Sequence, residues 1–127
     1  MKLKSVYIEK YKNLSPLTID FELGNGLTML VGNNGSGKSN VLEAISGIFH
    51  DLFKGKDSRK IKCDYKLQYT LNEINCVIEQ TNGFLRCYGP KFKHREYFIE
   101  ENAPHNIIGL YSGEEDRLWT SFYETYY

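Results

Sequence analysis

A glycine-rich segment is the feature that most constrains how this chain can fold. Residues 32–39 read Gly-Asn-Asn-Gly-Ser-Gly-Lys-Ser and match the pattern G-x-x-x-x-G-K-[ST] at every fixed position. Glycines at such positions let the backbone adopt positive φ and turn its N–H groups inward around an anion. The pattern requires a buried strand before it and a helix after it, so it predicts a strand–loop–helix unit.

The flanking sequence is consistent with both elements. Leu27–Val31 is a short and almost continuously apolar run, which is typical of a strand buried on both faces. After the loop, apolar residues recur at helical spacing, and Lys54-Gly55 provides a suitable helix end. The residues with this spacing are Val41, Leu42, Ile45, Ile48, Phe49 and Leu52.

The chemistry of the loop predicts a site for a nucleoside triphosphate with Mg²⁺. The Lys38 ammonium would neutralise the β- and γ-phosphates, and the Ser39 hydroxyl would hold the Mg²⁺ ion. The helix would direct the positive end of its dipole at the same anion. A glycine-rich turn with a surface lysine is the alternative interpretation, and the strand–loop–helix order disfavours it. The predicted binding residues of the segment are Gly32, Asn33, Asn34, Gly35, Ser36, Gly37, Lys38, Ser39 and Asn40.

Alternating apolar and polar residues predict further strands on both sides of this unit. The predicted strands are Leu3–Ile8, Leu17–Leu23, Tyr65–Leu71, Ile74–Gln80 and Phe84–Tyr88. The pair Asn82-Gly83 lies between two alternating runs, which is a strong hairpin signal. The last three strands are therefore expected to form an antiparallel meander.

The remainder of the chain shows weaker patterns. Gly89–His105 is expected to be irregular, and Ile107–Tyr111 is a further apolar run. Ser112 and Glu115 have the spacing of a capping box, and an aromatic stripe at helical spacing follows them. Because the chain ends within that stripe, residues 1–127 are expected to form the N-terminal lobe of a longer protein.

Overall composition excludes some classes of function. Lys+Arg and Asp+Glu are equal at 16 each, so the chain lacks the positive field typical of a nucleic-acid-binding protein. No apolar run is long enough to span a bilayer, and the N-terminus does not have the pattern of a signal peptide. The three widely spaced cysteines are interpreted as small buried apolar side chains. These features favour a cytoplasmic location without a membrane partner.

The run from Leu30 to Ile45 resembles the start of the SMC/RecF/OLD-type ABC ATPases, and so does Ile8–Leu14 upstream of it. This resemblance implies an α/β P-loop NTPase fold of the ABC type, with the P-loop strand and helix flanked by an antiparallel β meander. It implies ATP and Mg²⁺ as ligands, and a role in DNA repair or phage defence. It also places the family's basic residue near the γ-phosphate at Lys12, for which a solvated lysine on an edge strand is the alternative.

The resemblance implies partners as well. A second copy of the protein would complete the site in an ATP-sandwiched dimer, and the C-terminal lobe of the same protein would supply further motifs. DNA is a candidate partner, through a basic cluster interleaved with aromatic residues; a solvated loop is the alternative interpretation. The cluster consists of Lys91, Lys93, His94 and Arg95. A second basic loop, Lys54–Lys62, is a candidate for contact with adenine or ribose.

Departures from the family pattern concern catalysis. Glu100-Glu101 follows too short an apolar run to be the acidic end of a Walker B strand, and Gln68 and Gln80 are expected to face solvent. Tyr111–Glu114 is one residue short of a signature motif, and Ser112 is interpreted as a helix N-cap. No catalytic residue is therefore assigned, and the chain alone is expected to bind nucleotide without efficient hydrolysis. Two alternatives stay open: a stand-alone P-loop phosphotransferase, and an interaction module that holds nucleotide without hydrolysing it.

Overall fold

The computed structural model describes residues 1–21 and 38–105, apart from the side chains of Lys38, Ser39 and Lys56. The strands and helices in these ranges are β1 Lys2–Ile8, β2 Leu17–Asp20, α1 Lys38–Lys54, β3 Tyr65–Leu71, β4 Ile74–Thr81, β5 Phe84–Tyr88, β6 Phe92–Lys93 and α2 Arg95–Asn102. A short 3₁₀ turn, Lys56–Ser58, follows α1. The predicted strand Leu27–Val31, most of the glycine-rich loop and the predicted elements after Asn106 lie outside the described residues.

The described strands form one antiparallel sheet in the order β2-β1-β3-β4-β5-β6. The predicted meander of β3, β4 and β5 is confirmed. The N-terminal strand β1 pairs with the meander directly, because Val6 is opposite Leu67 of β3 as well as Ile19 of β2. The meander is therefore continuous with the N-terminal hairpin, rather than a separate flanking layer.

Both turns of the meander have the backbone geometry that tight hairpins require. Asn82 and Gly83 have φ angles of 50° and 80°, and they connect the paired residues Thr81 and Phe84. Asn72 and Glu73 repeat this geometry between β3 and β4, with φ angles of 51° and 65°. Two-residue loops with positive φ at both positions match the twist of the strands they join. These turns fix the register of the meander.

The core lies between one face of the sheet and helix α1. The Phe49 ring of α1 packs against the Tyr69 ring of β3, with centroids 5.9 Å apart. Buried apolar residues of the sheet alternate along each strand, as expected when one face is covered. They include Val6, Ile8, Tyr65, Leu67, Tyr69, Cys76, Ile78 and Cys87. Helix α1 contributes Val41, Ala44, Ile48, Phe49 and Leu52.

Helix α1 extends over the predicted apolar stripe and ends where the sequence predicted. Gly55 follows it with a φ angle of 84°, a conformation that glycine adopts without strain.

The predicted strand Leu17–Leu23 is shorter in the structure, since β2 ends at Asp20 and Phe21 lies outside it. None of the helices in the described ranges combines the length and the apolar content needed to cross a membrane.

Two expectations about the sequence after α1 are wrong. Gly89–His105 is not irregular, because it contains β6 and the two-turn helix α2. Gln80 does not face solvent: its side chain is on the core face and only 1 % of it is exposed. Its amide donates hydrogen bonds to the carbonyls of Ile61 and Cys63, each at 2.9 Å, and its oxygen accepts one from Arg59. These partners satisfy the buried amide. Gln68 is half-buried.

Candidate functional site

Within the described residues, helix α1 begins at the lysine of the glycine-rich pattern. Lys38 and Ser39 are its first two residues, while Gly32–Gly37 lie outside the described residues. The first turn of the helix contains no acidic residue. The N–H groups of a helix N-terminus are unpaired within the helix and carry a partial positive charge. A helix N-terminus at this position would suit the predicted binding of an anion by the glycine-rich segment.

The connection between β1 and β2 forms a tight turn beside this helix. Tyr11 and Leu14 exchange backbone hydrogen bonds of 3.0 and 2.8 Å across the turn. Between them, Lys12 has a φ angle of 52°, which few residues other than glycine and asparagine adopt. The buried side chain of Leu14 fixes the turn to the core. The turn therefore holds Lys12 in a defined position.

Two side-chain contacts join the turn to the start of α1. Lys12 Nζ lies 2.8 Å from each carboxylate oxygen of Glu43. Asn40 donates a hydrogen bond of 2.5 Å from Nδ2 to Oδ1 of Asn13. Residues 40 and 43 are three apart in the helix and so lie on one face. The structure thus brings two predicted site residues, Lys12 and Asn40, to the same end of α1.

The Lys12–Glu43 pair is partly protected from solvent. The side chain of Lys12 is 40 % exposed and that of Glu43 is 12 % exposed. The Lys12 ammonium also lies 5.7 Å from the centroid of the Tyr11 ring, within the range of a cation–π interaction. The carboxylate is the more buried partner, so it depends more strongly on its counter-charge.

Sequence patterns did not identify Asn13 and Glu43 as part of this region. Glu43 is the one Asp, Glu, Lys or Arg residue between Lys38 and Asp51. A single carboxylate in a helical run that has no other Asp, Glu, Lys or Arg residue is a signal that could have directed attention to it, because such a group generally has a partner when it is partly buried. Asn13 lies in the segment Ile8–Leu14 that resembles the family, but its residue type and spacing do not predict a contact with α1.

The second basic loop is fixed to the C-terminal half of α1. The Asp51 carboxylate accepts hydrogen bonds from the backbone N–H groups of Lys60, at 2.7 Å, and Ile61, at 2.9 Å. His50 Nδ1 lies 2.9 Å from the same carboxylate. Ile61 packs so closely on Gly47 that a Cβ atom there would lie 2.7 Å from the Ile61 Cδ1 atom. These contacts give this loop a structural role.

The four residues of the basic cluster proposed for DNA contact do not form one exposed surface. Lys93 donates hydrogen bonds to Glu101 and to Oδ1 of Asn102, and Arg95 donates to the Leu52 carbonyl. Lys91 and His94 are exposed. Glu101 lies on α2 rather than at the end of a strand. Two of the four predicted cluster residues are therefore engaged in interactions within the domain.

The three cysteines are free thiols; Cys76 and Cys87 are buried as predicted, whereas the prediction is wrong for Cys63, which is only half-buried. Burial raises the pKa of the Cys87 thiol to about 11 and also raises the pKa of the Cys76 thiol. A thiolate is the reactive form of cysteine, so both groups are unreactive near neutral pH. Neither is a candidate nucleophile.

Comparison with known proteins identifies the family. The profile of a family described as an AAA ATPase domain matches residues 1–120. The chain belongs to the AAA ATPase domain family. The predicted resemblance to SMC/RecF/OLD-like ATPases is confirmed by this match and by the relatives described next. Membership implies a P-loop NTPase fold, and the antiparallel sheet with its helices gives the described part of this AAA ATPase domain an α/β architecture.

Similar proteins include ATPases and DNA-repair proteins. The chain is 38 % identical over 73 residues to the DNA replication and repair protein RecF of Actinobacillus succinogenes, covering 57 % of the chain and 20 % of RecF. It is 38 % identical over 79 residues to the DNA double-strand break repair Rad50 ATPase of Methanosarcina mazei, covering 52 % of the chain and 7 % of Rad50. It is 41 % identical over 51 residues to the Retron Ec83 probable ATPase of Escherichia coli, covering 39 % of the chain and 9 % of that protein. The matched region of the AAA ATPase domain thus corresponds to a fifth or less of each of these relatives.

Proposed function

We propose that this domain binds ATP with Mg²⁺ through the segment Gly32–Ser39 at the start of α1. Lys38 neutralises the β- and γ-phosphates, the Ser39 hydroxyl holds Mg²⁺, and Lys12 lies near the γ-phosphate. The observation that carries this proposal is the turn that bears Lys12, which contacts Glu43 in the first described turns of α1, directly after the glycine-rich segment. A helix N-terminus and two ammonium groups together suit the high negative charge of a triphosphate.

We further propose that the chain is the N-terminal lobe of an ABC-type ATPase, which binds ATP but depends on other parts for hydrolysis. Its partners are the C-terminal lobe of the same protein and a second copy, with ATP sandwiched between the copies. The small share of each relative that the chain covers supports this proposal. Glu100 and Glu101, the sequence's nearest approach to a catalytic acidic pair, lie on α2 and are exposed, which also supports it.

The biological role that fits this domain is ATP-driven handling of DNA in repair or phage defence, within the cytoplasm. The names of the RecF and Rad50 relatives support the repair role. A stand-alone phosphotransferase fits less well, because it needs a second parallel strand soon after the first helix. In the described residues after α1, the strands β3 to β6 are antiparallel to their neighbours.

Measurements of ATP hydrolysis and of oligomeric state test whether hydrolysis depends on parts of the protein outside these 127 residues and on a second copy. ATP hydrolysis is compared between the 127-residue chain and a longer protein that contains it, and light scattering reports the mass of the longer protein with and without ATP. We expect both to bind ATP, turnover by the longer protein alone, and ATP-dependent dimerisation. Robust turnover by the 127-residue chain would contradict the proposal, as would a longer protein that stays monomeric in ATP.

A further inference from the structure

We propose that Glu43 is a positioning residue for Lys12, and that it thereby sets the preference of the site for ATP over ADP. This inference rests on the proposed function, in which Lys12 lies near the γ-phosphate. The turn clamp, as we name it, consists of the Lys12–Glu43 ion pair and the Asn13–Asn40 hydrogen bond. It attaches the turn between β1 and β2 to the first turns of α1.

The two contacts of the turn clamp hold the turn in one orientation relative to α1. A single contact would leave the turn free to pivot about that contact. The two contacts involve adjacent residues of the turn, 12 and 13, and helix residues three apart on one face. The Asn13–Asn40 hydrogen bond carries no net charge, so it holds the turn independently of the ion pair. Glu43 lies five residues after Lys38, or about 7.5 Å along the helix axis.

The burial of Glu43 argues that the ion pair persists when nucleotide binds. Only 12 % of the Glu43 side chain is exposed, and both of its carboxylate oxygens accept from Lys12 at 2.8 Å. Withdrawing the ammonium would leave a poorly solvated carboxylate without its counter-charge, which is unfavourable. Phosphate binding that required Lys12 to leave Glu43 would incur this penalty, so the carboxylate acts as a fixed support.

Lys12 can contact a phosphate while it stays on Glu43. An ammonium group donates three hydrogen bonds, and the two oxygens of Glu43 account for two of them. The Lys12 side chain remains 40 % exposed, so the third donor has access to a ligand. Glu43 therefore orients the Lys12 charge and does not compete with the phosphate for it.

The backbone at Lys12 supports a role for its side chain. A φ angle of 52° suits asparagine or glycine better than lysine, and such conformations are retained where the surrounding structure determines them. Two backbone hydrogen bonds between Tyr11 and Leu14 impose this conformation. The turn therefore holds the long cationic side chain of Lys12 beside the first described turns of α1.

Equilibrium titrations with MgATP and MgADP test the inference. The variants are Glu43→Gln, Lys12→Met, their combination, and Glu96→Gln as a matched control on the exposed surface of α2. Because one charge-assisted hydrogen bond is involved, Glu43→Gln and Lys12→Met should each lower the ratio of ATP to ADP affinity by about tenfold. ADP affinity should change by less than about twofold, and the combination should lose no more than either single variant. Glu96→Gln should leave the ratio unchanged.

Asn13→Ala provides a second test that keeps both charges. It should lower the same ratio by about threefold, the size expected for one neutral hydrogen bond. A wild-type ratio in Glu43→Gln, tighter ATP binding by that variant, or an equal loss of ATP and ADP would each overturn the inference. If Lys12→Met lowers the ratio and Glu43→Gln does not, the inference alone fails. If the wild-type chain binds neither nucleotide, the proposed function fails and the inference fails with it.

Discussion

Arg95, the first residue of α2, donates a hydrogen bond from Nη1 to the backbone carbonyl of Leu52 near the end of α1, at 2.7 Å. The same nitrogen lies 3.3 Å from the carbonyl of Phe53. The last carbonyls of a helix lack partners within it and carry a partial negative charge, so a guanidinium group stabilises them. A residue that the sequence placed in a candidate DNA-binding cluster therefore caps a helix and joins the two helices.

Replacing Arg95 with alanine should destabilise the domain. The two carbonyls would lose a charged donor, and we expect the free energy of unfolding to fall by about 1.5–3 kcal/mol. Lys91→Ala is the matched control from the same cluster, because Lys91 is exposed, and it should change the value by less than about 0.5 kcal/mol. Urea denaturation measures both changes. Equal effects of the two substitutions would contradict the capping role.

Replacing one carboxylate oxygen of Asp51 should lower the free energy of unfolding of the domain. In Asp51→Asn, an amide N–H₂ group replaces one of the two oxygens that accept from the backbone of Lys60 and Ile61. One buried backbone donor then faces another donor, and we expect a loss of about 2–3 kcal/mol. Asp57→Asn is the control on the exposed 3₁₀ turn and should be nearly neutral. Thermal unfolding compares them, and an Asp51→Asn protein as stable as the wild type would argue against this anchor.

Two buried tyrosines of β3 should respond oppositely to removal of their hydroxyl groups. The Tyr69 hydroxyl donates a hydrogen bond of 2.5 Å to the carbonyl of Asn102, whereas the buried Tyr65 hydroxyl has no hydrogen-bond partner among the described residues. Tyr69→Phe should cost about 1–2 kcal/mol, because it leaves a buried carbonyl unpaired. Tyr65→Phe should be neutral or stabilising by up to about 1 kcal/mol, because it removes an unpaired buried group. Chemical denaturation of both variants tests this, and a larger loss for Tyr65→Phe would contradict it.

Stability should fall at alkaline pH, partly through Cys87. Burial raises the pKa of this thiol from 9.0 to about 11. Between these values the unfolded chain releases a proton that the folded chain retains, so the free energy of unfolding falls as the pH rises. Burial also raises the pKa of Tyr65 and Tyr69, which extends the fall to higher pH. The Cys87 contribution is complete below about pH 9 and is lost as the pH rises through about 11.

Unfolding measured across this pH range isolates the Cys87 contribution. Cys87→Ala should reduce the slope of the free energy of unfolding against pH between 9 and 11, whatever its effect at neutral pH. Ile78→Val is the control, because it changes a buried side chain that has no titrating group, and it should keep the wild-type slope. An unchanged slope in Cys87→Ala would contradict the assignment.

Local sequence patterns predicted the parts of the fold that local interactions determine. The meander follows from alternation and from turns with positive φ at Asn72, Glu73, Asn82 and Gly83. Helix α1 follows from its apolar spacing. Helix α2 has no such pattern, since it buries only Phe98 and Asn102 and is held by distant partners such as Leu52. The packing of the whole domain therefore determines it.

The candidate site likewise has one part that local sequence patterns predict and another that depends on the packing of the whole domain. The glycine-rich pattern is contiguous, so Gly32–Ser39 could be predicted directly. In the turn clamp, Lys12 and Glu43 are separated by 31 positions in the sequence, and Asn13 and Asn40 by 27 positions. Only the packing of the turn on α1 brings these pairs together. Gln80 was misjudged for a related reason. Its position in the alternation places it on the core face, but the buried carbonyls that satisfy its amide belong to the distant loop after α1.

The central claim is that the glycine-rich segment Gly32–Ser39 binds MgATP. Titration calorimetry of the wild-type 127-residue chain and of the Lys38→Ala variant tests it most directly. We predict saturable binding at one site per chain. Loss of the Lys38 charge should weaken it by at least about tenfold, because a charge-assisted contact to phosphate is removed, while the unfolding temperature without nucleotide stays the same. A wild-type chain that does not bind MgATP, or a Lys38→Ala chain that binds it as tightly, would contradict the account.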